Sequence, residues 1–357
     1  MKNWSDFRNI KEYDLKSENC EIHASGMSGP EACWRWTDAY DVKLSIPNEA
    51  DSDDDVAVLI ELMGHLRADA LPSQRVIVSH KGDVLAEWVI VDSLYRIKGL
   101  LLSRERVRAL DRIDLDIQLP DARSPKDLGG SDDERIIGIA INRIWVGVAN
   151  ETQRSAALFG IIGTRYVGPE SRKTWDQKHL DGFWNRYITG PNVLDIGFSS
   201  YGDTRVVPIM EGAVGVDIDY PGYDGKRLPF EDGSQDTVYS SHCLEHIPDP
   251  LNVIQDWYRV TKVGGHIIIA VPSRDLYERR RRPPSIWNTE HLRMYSCASL
   301  LAEIEAALEP NSFKVRYLAE NDDLFDYSRP PMVAPYGNYE VTVVIEKLRT
   351  PEWRLVD

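Results

Sequence analysis

The rhythm of apolar and polar positions changes along the chain. From Cys20 to about Val148, short apolar runs alternate with polar positions and are separated by turns. They include Cys33-Trp34-Arg35-Trp36, Val42 to Ile46, Val56 to Leu62, Arg75 to Val78 and Ile113 to Ile117. Alternation buries one face of a strand and wets the other, and strands so spaced predict an antiparallel β-sandwich. His80-Lys81-Gly82-Asp83 reads as a hairpin turn between two of them. Next, Trp175, Leu180, Phe183, Trp184 and Tyr187 recur at helical spacing, predicting a helix over about Lys173 to Ile188 that Thr189-Gly190-Pro191 ends.

Beyond Asn192 the runs become continuous: Val193 to Gly197, Ala213 to Asp219, Thr237 to Ser241 and His266 to Ser273. Apolar runs closed by turn residues predict parallel strands buried on both faces. Between the last two, Leu251, Ile254, Trp257, Tyr258 and Val260 mark a helix over Asp249 to Lys262, with Gly264-Gly265 as its stop. Strand, helix, strand in this order predicts a doubly wound α/β sheet, which binds ligands at the carboxyl ends of its strands. Asp195, Gly197, Asp217 and His242 fall at or just beyond those ends. Four segments result: an extension (1–19), a sandwich (20–148), a linker with a leading helix (149–190) and an α/β domain (191–357).

Composition changes this picture little. With 42% hydrophobic and 28% charged residues the chain reads as globular, and its net charge of -15 argues against a nucleic-acid partner. Four scattered cysteines, with no CxxC pair, predict free thiols and a reducing cytoplasm. No secretory leader or bilayer-spanning run is visible. The acids Glu49, Asp51, Asp53, Asp54 and Asp55 read as a solvated loop rather than a calcium site.

Two stretches in the first domain carry a resemblance. They are Gly26-Met27-Ser28-Gly29-Pro30-Glu31 with Trp34 and Trp36, and Ser124-Pro125 to Ile137-Gly138-Ile139. Over about Ser25 to Val146 they resemble a β-sandwich module of bacterial surface-polysaccharide proteins, which implies a glycan or envelope setting. Trp34 and Trp36 read as core residues or as a sugar-stacking platform. Asp132-Asp133-Glu134-Arg135 reads as a buried turn network.

The α/β domain lacks the G-x-G-x-x-G and GK[ST] turns that cradle phosphates. It carries, in order, Leu194-Asp195-Ile196-Gly197, Gly215-Val216-Asp217-Ile218, Leu228 to Asp236, His242 to Pro250 and Gly264 to Ile269. This series resembles a class I S-adenosylmethionine-dependent methyltransferase, over about Trp175 to Leu348. The resemblance implies a Rossmann-like seven-stranded sheet, closed by an antiparallel pair at Phe313 to Glu320 and Tyr339 to Lys347. It implies S-adenosylmethionine held by Asp195, Gly197, Phe198, Ser199 and His242 at the methionine end. It also implies Asp217, Ile218 and Asp219 at the ribose and Asp224 near the adenine. Ser199 and Tyr201 stand where glycines are usual. Only 18 residues (218–235) separate Asp217 from Asp236, which predicts an abbreviated adenine side.

A hydroxyl acceptor needs a base, and histidine suits that task near neutral pH. His242 and His291 are the candidates, with His246 read as structural or as a third catalytic histidine. Arg279 to Arg282 read as a solvated loop or as an anion clamp for the acceptor; Arg279, Arg282 and Trp287 are the acceptor-binding candidates. No spacing is compelling for a metal; Glu245 with Asp249 comes nearest. Asn321 to Asn338 reads as a lid or as disorder. The expected function is O-methylation of a sugar in a bacterial surface polysaccharide or its precursor. It would take place in the cytoplasm or at the inner face of the membrane, alongside polysaccharide-assembly enzymes. The rivals are a non-catalytic glycan-binding scaffold and a methyltransferase for a small metabolite, lipid or protein.

Overall fold

The computed structural model describes residues 7–17, 19–31, 33–48, 55–149, 165–200 and 202–351. The acids Glu49, Asp51, Asp53 and Asp54, the linker glycines Gly160 and Gly163, and Tyr201 lie outside them. The chain forms two compact units, Met1–Arg165 and Tyr166–Asp357. Among the described residues, no helix is long and apolar enough to cross a membrane. All four cysteines are free.

The first unit holds two antiparallel sheets. One runs Phe7–Asp14, Ile139–Ala149, Val56–Gly64, Arg96–Leu102, with Arg35–Trp36 also paired to Ile139–Ala149; the other runs His23–Ser25, Asp41–Pro47, Arg112–Gln118, Gln74–His80, Asp83–Ile90. Inward residues of both sheets, among them Val42, Leu44, Val58, Ile60, Leu115, Ile117 and Ile141, form a single buried apolar cluster. The segment read as an extension therefore supplies an edge strand, Phe7–Asp14. The hairpin at Lys81-Gly82 forms as expected, with φ of 50° and 87°, the left-handed pair that a two-residue turn requires. Val56–Gly64 is buried on both faces, and Glu61 there binds Asn142 (2.5 Å) and Arg143 (2.8 Å). Trp34 and Trp36 are half-buried and pack edge to face. The turn at Asp133 is a surface network, not a buried one: Arg135 grips the Asp133 carboxylate and holds its pKa down to about 2.

The second unit contains one six-stranded sheet. Its strands are β1 (Val193–Ile196), β2 (Val214–Val216), β3 (Gln235–Ser241), β4 (Thr261–Pro272), β5 (Phe313–Asn321) and β6 (Glu340–Lys347), in the order β2-β1-β3-β4-β6-β5. The first four run parallel; β6 is antiparallel to β4 and β5. The expected count of seven is corrected to six among the described residues. Residues 218–234 contain no strand and run instead as turns tied to the neighbouring helix. Asp256 accepts from the Leu228 N–H (2.6 Å), and Arg259 donates to the carbonyls of Leu228 and Phe230. The β4 strand begins at Thr261 rather than His266, running through Gly264 at φ 82°.

Among the described residues, four helices flank the sheet: α1 (Pro169–Leu180), α2 (Phe183–Tyr187), α3 (Pro250–Val260) and α4 (Cys297–Ala307). The single helix expected over Lys173 to Ile188 is two, because Gly182 takes φ 70° and breaks it. Helix α1 starts with Pro169 in its first turn beside Glu170 and ends near Lys178 and His179, matching charge to the helix dipole. Asp249 caps α3 through the Asn252 N–H, and Val253, Ile254, Trp257 and Val260 are buried against one face of the sheet. Trp175, Phe183, Trp184 and Tyr187 join Val193, Tyr239 and Ile268 in the cluster on the other face.

Candidate active site

A cleft opens at the carboxyl ends of β1 and β3, facing the start of α1. Its walls are Gly168 to Ser171, Asp195, Gly197 to Ser199, Ser241 and His242. Gly197 has φ 78°, and a Cβ there would lie 2.6 Å from the Cβ of Cys243. Glycine is thus demanded twice, by backbone and by space. Burial pushes the Cys243 thiol up to about 12, so it is an apolar filler and not a nucleophile. Asp195 is buried and accepts from the Ile209 N–H (2.8 Å), which fixes the segment after the turn. Asp217 is partly exposed and accepts from the Ile218 N–H (2.7 Å) through one oxygen. Ile218 is 66% exposed. Asp219 and Asp224 are exposed, and Asp224 accepts the N–H groups of Lys226 and Arg227 in its own turn. The turn-carboxylate alternative is therefore what Asp224 displays.

The donor set suits an adenosyl sulfonium: carboxylates at adjacent strand ends, a glycine with no room for a side chain and no phosphate-cradling run of amides. Space is the constraint. The cavity measures about 70 Å³, whereas pockets for drug-sized ligands measure roughly 300–1,000 Å³. The Phe198 ring lies across Gly215, where a Cβ would be 2.4 Å from it. A nucleoside reaching Asp217 would have to share that space with the ring. A larger cavity, of about 1000 Å³, is lined by Gly233, Arg259, Lys262 and Glu309 near the amino ends of the strands, away from this chemistry.

The histidines converge on buried acids. His242 has a left-handed φ of 50°, and its N–H binds the Ala270 carbonyl (2.8 Å), which directs it into the cleft. Burial lowers its pKa, so the ring is neutral at neutral pH. Its Nδ1 lies 3.7 Å from Glu170 and 3.9 Å from Glu245. Glu170 also binds Lys173 (2.7 Å) and the Tyr339 hydroxyl (3.2 Å). Burial would raise the Glu170 carboxyl, but His242 and Lys173 outweigh it and hold it low. Glu245 is fully buried and is pushed up to about 8 by that burial. His246 and His291 lie beside Glu245, with ring centroids 4.8 Å apart, and neither lines the cleft. His291 Nδ1 lies 2.5 Å from Glu278, and His246 Nδ1 lies 3.2 Å from the Glu290 carbonyl.

Sequence reasoning passed over Glu170, Lys173, Tyr339 and Glu278. Their segments meet only through tertiary packing, and the one available signal was Glu170 in the first turn of a helix entering the sheet. The acceptor candidates separate. Arg279 donates to the carbonyls of Arg329, Pro330 and Val333. It pins the 321–338 loop through these carbonyls, with its Nε buried and unbonded. Arg282 is exposed. Trp287 is half-buried, with its indole N–H unbonded and Arg279 5.9 Å from its ring.

Residues 208–269 match the family model described as a methyltransferase domain. The chain is 27% identical over 134 residues to a probable S-adenosylmethionine-dependent methyltransferase of Mycolicibacterium smegmatis, covering 33% of this chain and 51% of that protein. It is 32% identical over 89 residues to a malonyl-[acyl-carrier protein] O-methyltransferase of Marinomonas sp., covering 25% of this chain and 33% of that one. The chain thus spans about half or less of the length of these relatives. A solved S-adenosylmethionine-dependent methyltransferase from Aquifex aeolicus superposes with a TM-score of 0.33 at 15% identity, covering 50% of this chain and 93% of that one. The family match and the relatives support S-adenosylmethionine as the cofactor of the second unit.

Proposed function

We propose that the second unit transfers a methyl group from S-adenosylmethionine to a hydroxyl oxygen. The acceptor would be a sugar of a bacterial surface polysaccharide or its precursor. The observation that carries the reading is the placing of His242 in a cleft that also presents Asp195, with Asp217 at the end of the adjoining strand. When bound, the cofactor supplies an electrophilic methyl carbon. Asp217 would hold the ribose hydroxyls with its remaining oxygen, and Gly197 leaves the room. His242 takes the acceptor proton, and Glu170, braced by Lys173 and Tyr339, stabilises the imidazolium that results. The sugar rests on the resemblance of the first unit to a glycan-associated sandwich. On this reading the protein works on the cytoplasmic side, near polysaccharide-assembly enzymes.

His242→Ala is expected to lower turnover by about 10²–10⁴-fold, with S-adenosylhomocysteine binding unchanged within about threefold, a shift of under about 0.7 kcal/mol. The assay is transfer of labelled methyl to an extract of bacterial surface polysaccharide, with the product located by mass spectrometry. Retained turnover would remove His242 as the base. Phe198→Ala is expected to tighten S-adenosylhomocysteine binding about tenfold by calorimetry, since the ring no longer has to be displaced. A tenfold loss would make the ring a wall of the nucleoside site.

The small cavity favours one alternative, a non-catalytic glycan-binding scaffold. Failure of both the wild type and Phe198→Ala to bind S-adenosylhomocysteine would establish it. A glycan array probed with the full chain tests the sugar assignment separately.

A further inference from the structure

Glu245 is wholly buried, and neither of its carboxylate oxygens receives a hydrogen bond. Ionised, a carboxyl so placed is costly unless a cation meets it. Among the described residues, its neighbours at ion-pair distance are all histidines. His246 Nε2 lies 3.8 Å and His291 Nε2 3.9 Å from its Oε1. In both rings the other nitrogen is committed, His291 Nδ1 to the Glu278 carboxylate and His246 Nδ1 to the Glu290 carbonyl. Those partners can accept from a protonated Nδ1, the tautomer that leaves each Nε2 able to ligate a cation. Three atoms of metal-ligating type therefore converge.

We propose that Glu245, His246 and His291 bind a divalent transition-metal ion of the zinc type. Their ligand atoms lie within 4.8 Å of one another. Bonds of about 2.0–2.2 Å in a tetrahedral shell set ligand separations near 3.4 Å, so modest side-chain rotations close the set. Two imidazoles and a carboxylate are the donors zinc takes where a fourth position stays open. Glu278 behind His291 and the Glu290 carbonyl behind His246 are the outer partners that fix ligand tautomers. Backbone contacts hold the three together. The Leu292 N–H donates to the Glu245 carbonyl (2.9 Å), and Ser273 caps the π-turn Arg274–Glu278 that carries Glu278 inward. His242, 3.9 Å from Glu245, joins the cluster to the cleft. Glu245 and His246 are neighbours on one turn, but His291 arrives from a distant segment, so no local spacing announced the set.

The inference stands apart from methyl transfer, because its test reads metal and not turnover. The full chain, stripped with a chelator, is titrated with Zn²⁺ alone against a chromophoric competitor, beside Glu245→Gln and His246→Ala. His246 is only half-buried, and glutamine keeps the shape of Glu245, so far-UV circular dichroism should match the wild type in at least one variant. One equivalent is expected to bind at about micromolar affinity or tighter, weakened about 100-fold or more in each folded variant. Co²⁺ loading should give a tetrahedral visible spectrum that the variants lose. The proposal fails if the wild type takes up no equivalent at micromolar Zn²⁺, or if every folded variant binds within about threefold of it, a difference of under about 0.7 kcal/mol.

Discussion

Lys178→Met is expected to destabilise the second unit by about 3–5 kcal/mol, the usual cost of stranding one member of a buried ion pair. Lys178 and Glu340 are 6% and 2% exposed and lie 2.5 Å apart, with Thr342 bonded to both. The lysine also sits 5.5 Å from the Trp184 ring, so urea unfolding can be followed by tryptophan fluorescence. Converting both partners, Lys178→Met with Glu340→Met, should recover most of the loss, because no charge is left without a mate. A single variant as stable as the wild type would show that water reaches Glu340. The pair also fixes a pH dependence. Burial would raise the Glu340 carboxyl, but Lys178 and His242 outweigh it, so its folded value lies below the ordinary 4.5. Its contribution is then complete above the unfolded value and is lost as pH falls through the lower folded one. The double variant should lack that acid-side loss.

Gly197→Ala is expected to cut S-adenosylhomocysteine affinity at least about 100-fold, near 2.7 kcal/mol. Two penalties add. A left-handed backbone costs alanine about 1–2 kcal/mol, and the new methyl would press into Cys243 at 2.6 Å. Because the Gly197 N–H binds the Val216 carbonyl (2.8 Å), the turn cannot move without disturbing β2 and Asp217. Adding Cys243→Gly removes the collision but not the dihedral penalty, so it should restore part of the affinity. Equal affinity in wild type and Gly197→Ala, measured by calorimetry, would place the nucleoside elsewhere.

The parallel strands and α3 were readable because burial on both faces leaves an unbroken apolar run, while burial on one leaves a helical stripe. The short 218–235 interval foretold an abbreviated adenine side, but the resemblance still implied seven strands, and the sheet has six among the described residues. The division of Lys173 to Ile188 was not readable, because Gly182 reads as a tolerated helix residue until its φ is known. The site divided the same way. Asp195, Gly197 and His242 follow from their places at strand ends. The hold of Arg279 on the 321–338 loop was not legible, because a run of arginines does not reveal which carbonyls it will find. Glu170, Tyr339 and the Glu245 cluster depend on side chains arriving from separate segments, and local sequence carries no record of that meeting.

The shortened sheet has a consequence for how the protein behaves in a crowd. One rim is β2, three residues long with Gly215 at its centre, too brief to template another chain. The opposite rim, β5, carries exposed Lys314, Arg316 and Glu320 and is bent by a β-bulge between Val315 and Tyr317. Charges and a bulge on an edge discourage a neighbour from zipping on. Neither border invites fibrillar growth, so losing a strand did not leave the fold a sticky margin.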